Sequence, residues 1–152
     1  YMGLLNLASY KSVWRGYEYF NERYVITHIK QNPTEIKGIV RGSGNNHYDV
    51  FIDLEHPRKS KCNCPHADGK RIICKHMIAL YFTAFPNEAK KYYEDVIKYQ
   101  EEEDRRQEEL EYKVLDYVHN LKKSELEDLL LQVLFDGPEW QYERFIRENI
   151  EW

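Results

Sequence analysis

Cys62-Asn63-Cys64 and, nine residues on, Cys74-Lys75-His76 are the residues of this chain whose types and spacing could do chemistry. The two pairs use all 3 cysteines of the protein. Three thiolates and an imidazole match the donor set of a tetrahedral zinc ion, with no coordination position left open. Such a site organises a fold and offers no metal-bound water for catalysis. A Cys-x-Cys pair on a strand places both side chains on one face, because strand side chains alternate. A helix beginning at Cys74 would favour its thiolate form. The expected ligands are Cys62, Cys64, Cys74 and His76 around a single structural Zn²⁺. His66, two residues after Cys64, is a rival fourth ligand; His76 is preferred because it shares one rigid element with Cys74. His28, His47, His56 and His119 have no partner pattern.

This donor set carries a formal charge of −1. Lys61, Lys70, Arg71 and Lys75 surround it in sequence and could either compensate that charge or face a phosphate backbone.

Elements to position these residues can be read on either side of them. Tyr10, Val13, Trp14, Tyr17 and Phe20 recur at helical spacing within 9–20. Runs at 24–30, 35–41 and 48–54 have β character, separated by Asn32-Pro33-Thr34 and by the Gly42–Asn46 loop. A fourth short strand over 60–64 would enter the metal site, and Pro65, Asp68 and Gly69 suit a turn over it. A helix over 74–85 would follow, ended by Pro86, and Asn87 could cap a long helix through the charged stretch 99–111. Ser124-Glu125-Leu126-Glu127 reads as a capping box, Gly137-Pro138 as a break, and 139–149 as a last helix. The fold class expected is α+β: a small antiparallel β-meander with a zinc-stabilised strand–helix finger over 1–86, then a helical extension over 87–152.

The sequence Cys-x-Cys-x9-Cys-x-His, with Cys64-Pro65 and Cys74-Lys75-His76-Met77-Ile78-Ala79-Leu80-Tyr81, resembles the SWIM-type zinc finger family. Upstream, Arg15–Phe20, Gly38–Ser43 and Tyr48–Leu54 are similar to the leader of bacterial members, so the resemblance covers roughly 9–85. It implies zinc on Cys62, Cys64, Cys74 and His76 in a ββα-like finger. It also implies DNA binding or protein–protein interaction.

The charge distribution supports two segments with different surfaces. Residues 1–80 hold 12 Lys+Arg against 7 Asp+Glu, and residues 81–152 hold 10 against 19. A basic front could meet a polyanion, while the acidic rear would resist one. No run approaches the length of a membrane span and no secretory signal is visible. A cytoplasmic protein with reduced thiols is therefore expected. No phosphate loop, nucleophile elbow or zinc-protease motif is present, so catalysis and a small-molecule substrate are not expected. A binding module is expected, with two candidate partners: the first is DNA, with Tyr10, Trp14, Tyr17, Tyr19 and Phe20 as candidate stacking residues. The alternative partner is another protein, with Trp140, Tyr142, Phe145 and Trp152 as candidate anchors.

Overall fold

The structure, a computed structural model, describes residues 3–150. Internal contacts divide the chain into two compact units, Tyr1–Ile97 and Lys98–Trp152.

In the first unit, α1 (Gly3–Leu7) and α2 (Tyr10–Asn21) precede β1 (Val25–Asn32), β2 (Glu35–Arg41), β3 (His47–Asp53) and the two-residue β4 (Lys61–Cys62). Helices α3 (Lys75–Ala84) and α4 (Pro86–His119) follow, and the division between the units falls within α4. The strands form one antiparallel sheet in sequence order. This is the expected α+β meander, with α1 as an unforeseen addition.

Local chemistry sets the element boundaries. The Ser9 hydroxyl accepts the Ser12 N–H at 3.1 Å and caps α2, satisfying one of the free donors of its first turn. Arg23, at φ 59°, reverses the chain after α2, and the Tyr24 N–H returns to the Tyr19 carbonyl at 2.9 Å. Between β1 and β2, the Asn32 side-chain oxygen accepts N–H groups from Thr34 and Glu35 at 2.9 and 2.8 Å. That Asx turn carries β1 through Asn32, beyond the expected end at Lys30.

Alternation along the strands gives the sheet two different faces. Ile36, Val40, Val50 and Ile52 point inward and are buried. Lys37, Ile39, Asp49 and Phe51 lie between them and face the other way. Helix α3 covers the inward face and is apolar nearly all round: Met77 through Phe82 are each at most 1% exposed, as befits a central helix. On its far side α3 packs against α2, where Tyr17 stands 6.1 Å edge-on to Phe82 and stacks on Tyr93 of α4 at 5.2 Å.

Pro86 begins α4 rather than merely ending α3. Phe85 is the C-cap of α3, and its carbonyl accepts the N–H groups of Glu88 and Ala89 at 3.0 and 3.3 Å. Proline is tolerated there because the first helical residues have no intrahelical acceptor for an N–H. Asn87 therefore lies inside the helix and does not cap it.

The second unit holds the end of α4, α5 (Lys123–Asp136) and α6 (Glu139–Asn149). The helix start is displaced from the expected Ser124–Glu127 capping box, and only one half of such a box forms, between Lys122 and Glu125. The Leu121 N–H is still bonded to Val118 at 3.2 Å, so Lys122 becomes the first extended residue, and its N–H is taken by the Glu125 carboxylate at 2.8 Å. Phe135 and Tyr142 bring α5 and α6 together at a ring separation of 5.8 Å. Leu134 is buried, whereas Leu126, Leu130, Leu131, Val133, Phe135 and Trp140 are exposed. Of the candidate anchors, Trp140 and Tyr142 are exposed and Phe145 is half-buried; Trp152 lies outside the described residues.

Candidate metal centre and the basic sheet face

Each candidate ligand sits where an element starts or ends. Cys62 closes β4, paired with Val50 of β3. The chain then leaves the sheet, with Asn63 still tied to Asp49: its side-chain oxygen accepts the Asp49 N–H at 2.9 Å. Cys64 thus lies just beyond the strand, which is shorter than the expected 60–64. The Cys64 carbonyl accepts the N–H groups of Ala67 and Asp68 at 3.1 and 2.9 Å. Gly69, at φ +67°, completes the turn in a backbone conformation that favours glycine. The chain returns to Cys74, the extended N-cap of α3, and places His76 in the first helical turn.

The ligand atoms of Cys62, Cys64, Cys74 and His76 all lie within 4.8 Å of one another, and all four residues are buried. His76 Nδ1 stands 3.8 Å from the sulfurs of both Cys62 and Cys74. A tetrahedral zinc ion with ordinary bond lengths separates its sulfur and nitrogen donors by about 3.6 Å and its sulfurs by about 3.8 Å. The donor set and its spacing therefore fit one zinc ion. His66 is exposed and is not part of this cluster.

Electrostatics inside the cluster differ from sulfur to sulfur. A hydrogen bond from the Cys62 thiol, opposed by burial and aided by His76 and the Met77 N–H, holds Cys74 down at about 4. The same bond, with burial and the charge on Cys74, pushes the Cys62 thiol up. Burial, then repulsion from Cys74, also pushes Cys64 up. These directions favour a thiolate on Cys74 beside protonated Cys62 and Cys64 when no metal is bound, and a zinc ion would take the place of the remaining protons. All three cysteines are free of disulfides. The His76 ring is fixed by packing, 4.7 Å from the Tyr48 ring and 5.6 Å from that of Tyr19. Its Nε2 is buried and has no hydrogen-bond partner among the described residues, where metal-bound histidines commonly engage a carboxylate or carbonyl.

The four basic residues flanking the ligands separate into two places. Lys61, Lys70 and Arg71 line a cavity of about 910 Å³ over the outward face of the sheet. Lys37, Arg58 and Lys59 line it with them. Lys75 instead lines a different recess beside Cys64, Cys74 and His76, with Lys11 and Arg15. Its Nζ lies 4.4 Å above the Tyr19 ring. Sequence proximity grouped Lys75 with the others and passed over Lys37, Arg58 and Lys59. The signal for Lys37 was present in the strand alternation, since it stands between Ile36 and Gly38. Among the candidate stacking residues, Tyr17, Tyr19 and Phe20 pack against the core, Trp14 stacks on Tyr17 at 5.9 Å, and Tyr10 is exposed.

Compared with curated proteins and with solved structures, the chain finds no match. Among the described residues no helix is long and apolar enough to cross a membrane. The segment from β3 through the four ligands to the C-cap of α3 does have a match: residues 48–85 fit the family model of the SWIM zinc finger.

Proposed function

We propose that this chain is a nucleic-acid-binding module whose zinc ion holds the binding surface in shape, acting by binding and not by catalysis. DNA is the partner favoured. The observation that carries the reading is the charge of the outward sheet face. The cavity there is lined by Lys37, Arg58, Lys59, Lys61, Lys70 and Arg71 against the carboxylates of Asp49 and Asp68. Cations gathered on one face form the electrostatic footprint that phosphate backbones require. Zinc supports that face from beneath, because Cys62 directly follows Lys61 on β4 and the turn between Cys64 and Cys74 carries Lys70 and Arg71. Three free thiols suit a reducing compartment such as the cytoplasm.

The deciding experiment is binding of labelled DNA by the full chain across a salt series, zinc-loaded and after chelation. The reading expects zinc-dependent binding that weakens steeply with salt. Absence of binding at low salt by folded, zinc-loaded protein would defeat it.

A second reading, a protein-interaction adaptor with a purely structural zinc, draws on one observation in the second unit. Leu126, Leu130, Leu131, Val133, Phe135 and Trp140 leave apolar surface on α5 and α6 open to solvent, a common property of partner-binding faces.

A further inference from the structure

We infer that the basic sheet face takes a single, unpaired nucleic-acid strand in preference to a duplex; this rests on the nucleic-acid reading above and names its substrate class. The argument begins with the strand alternation that left one face of the sheet outside the core. That face is not uniformly polar. Ile29, 67% exposed, Ile39 and the half-buried Phe51 form an apolar floor. In the pairing of β2 with β3, Lys37 stands directly opposite Phe51, with its Nζ 6.0 Å from the ring centroid. Lys61 stands opposite Phe51 on the other side, in the pairing of β3 with β4. An aromatic ring flanked by a cation on each neighbouring strand therefore lies at the base of the cavity. Arg58 and Lys59, from the turn before β4, and Lys70 and Arg71, from the loop after Cys64, add charge around it.

Two kinds of ligand surface are called for at once. Cations need phosphates, and an apolar, aromatic floor needs the flat face of a base. A duplex presents phosphates outward but keeps its base faces inside its own stack. Bound here, it would leave Ile29, Ile39 and Phe51 unmatched. A single strand offers both, and aromatic platforms within basic grooves are the usual means of holding it. The recess of about 910 Å³ also has room for a base to lie on its floor. Asp49 and Asp68, the carboxylates lining the cavity, oppose phosphate. The Asp49 main-chain N–H is engaged by Asn63, which fixes the backbone there and leaves its charge in place.

The test compares a labelled DNA strand of about 12 nucleotides with a blunt duplex of the same sequence, by fluorescence anisotropy on the zinc-loaded full chain. The expected result is binding of the single strand on the order of tenfold tighter than the duplex. Phe51→Ala should weaken the single-strand complex by about tenfold while leaving its salt dependence unchanged. Because Phe51 is half-buried, Lys37→Glu at an exposed position serves as a second variant, expected to weaken binding and flatten the salt dependence. Circular dichroism and zinc content verify that both variants are folded. Duplex binding as tight as, or tighter than, the single strand overturns the inference and leaves the nucleic-acid reading standing. So does Phe51→Ala, folded, binding the single strand as wild type does. Failure of both nucleic acids to bind at ~50 mM salt removes the nucleic-acid reading itself.

Discussion

Gly16 on α2 lies so close to Ile78 on α3 that a Cβ added at Gly16 would come within 2.4 Å of the Ile78 Cβ and 2.9 Å of the Lys75 carbonyl oxygen. The two helices meet almost backbone to side chain, directly above the first turn that presents His76. Alanine is intrinsically better than glycine inside a helix by about 1 kcal/mol, but here it must push α2 and α3 apart. Overpacking of this kind typically costs about 1–3 kcal/mol. Gly16→Ala is therefore expected to lower the unfolding midpoint in a chemical-denaturation experiment. An unchanged or raised midpoint would mean the helices separate freely.

Replacing Cys62, Cys64 or Cys74 by Ser should abolish tight zinc binding and destabilise the first unit, because metal affinity is part of the folding free energy of such sites. His76→Ala should weaken retention by at least tenfold, whereas His66→Ala should keep the metal. Metal content after dialysis against a chelator reads both. Retention by the His76 variant together with loss by the His66 variant would mean that a different histidine completes the site.

Zinc loading should release about two protons near pH 7. Cys62 and Cys64 are raised and still hold their protons there, while Cys74, lowered to about 4, has already lost its own. The sign follows: protons compete with the metal, so affinity climbs with pH by about a hundredfold per unit and acid expels the ion. Calorimetric titrations in buffers of different ionisation enthalpy count the protons. A count near three would mean that the thiols are not organised before the metal arrives.

If nucleic acid binds at the sheet face, charge reversals should sort by position. Lys61→Glu and Arg71→Glu line the cavity and should each reduce the slope of log affinity against log salt by about 1. Lys75→Glu, in the separate recess, should leave that slope unchanged. A loss with Lys75→Glu equal to that with Lys61→Glu would place the backbone contacts elsewhere.

Much of this is legible in the sequence itself. The zinc donor set, β2 at Glu35–Arg41 and α6 at Glu139–Asn149 follow from spacing, alternation and breakers. What was not legible depended on which competing local bond forms. Ser124 and Glu127 had the right residue types for a capping box, but Val118 still held Leu121 and moved the helix start to Lys123. Cys64 looked like a strand residue until two turn N–H groups claimed its carbonyl. The basic face was half-visible: its members come from β2, the turn after Pro57, β4 and the loop after Cys64, and only the antiparallel register brings Lys37 and Lys61 to either side of Phe51. Leu4 of α1 gave no periodic signal, yet it is 1% exposed.

Gly38 sets a limit on how this finger can be handled. Any side chain there would meet the Thr27 carbonyl at 2.4 Å and Leu80 of α3 at 2.5 Å, so β2 and the ligand-bearing helix are fitted against each other. Gly38 and Gly16 both lie upstream of residue 48, outside the segment that matches the SWIM zinc finger. A fragment trimmed to residues 48–85 would keep every zinc ligand but lose α2, β1 and β2, which together pack against much of the buried surface of α3. The matching segment is thus not a portable cassette, and the smallest piece worth grafting or expressing is the whole first unit.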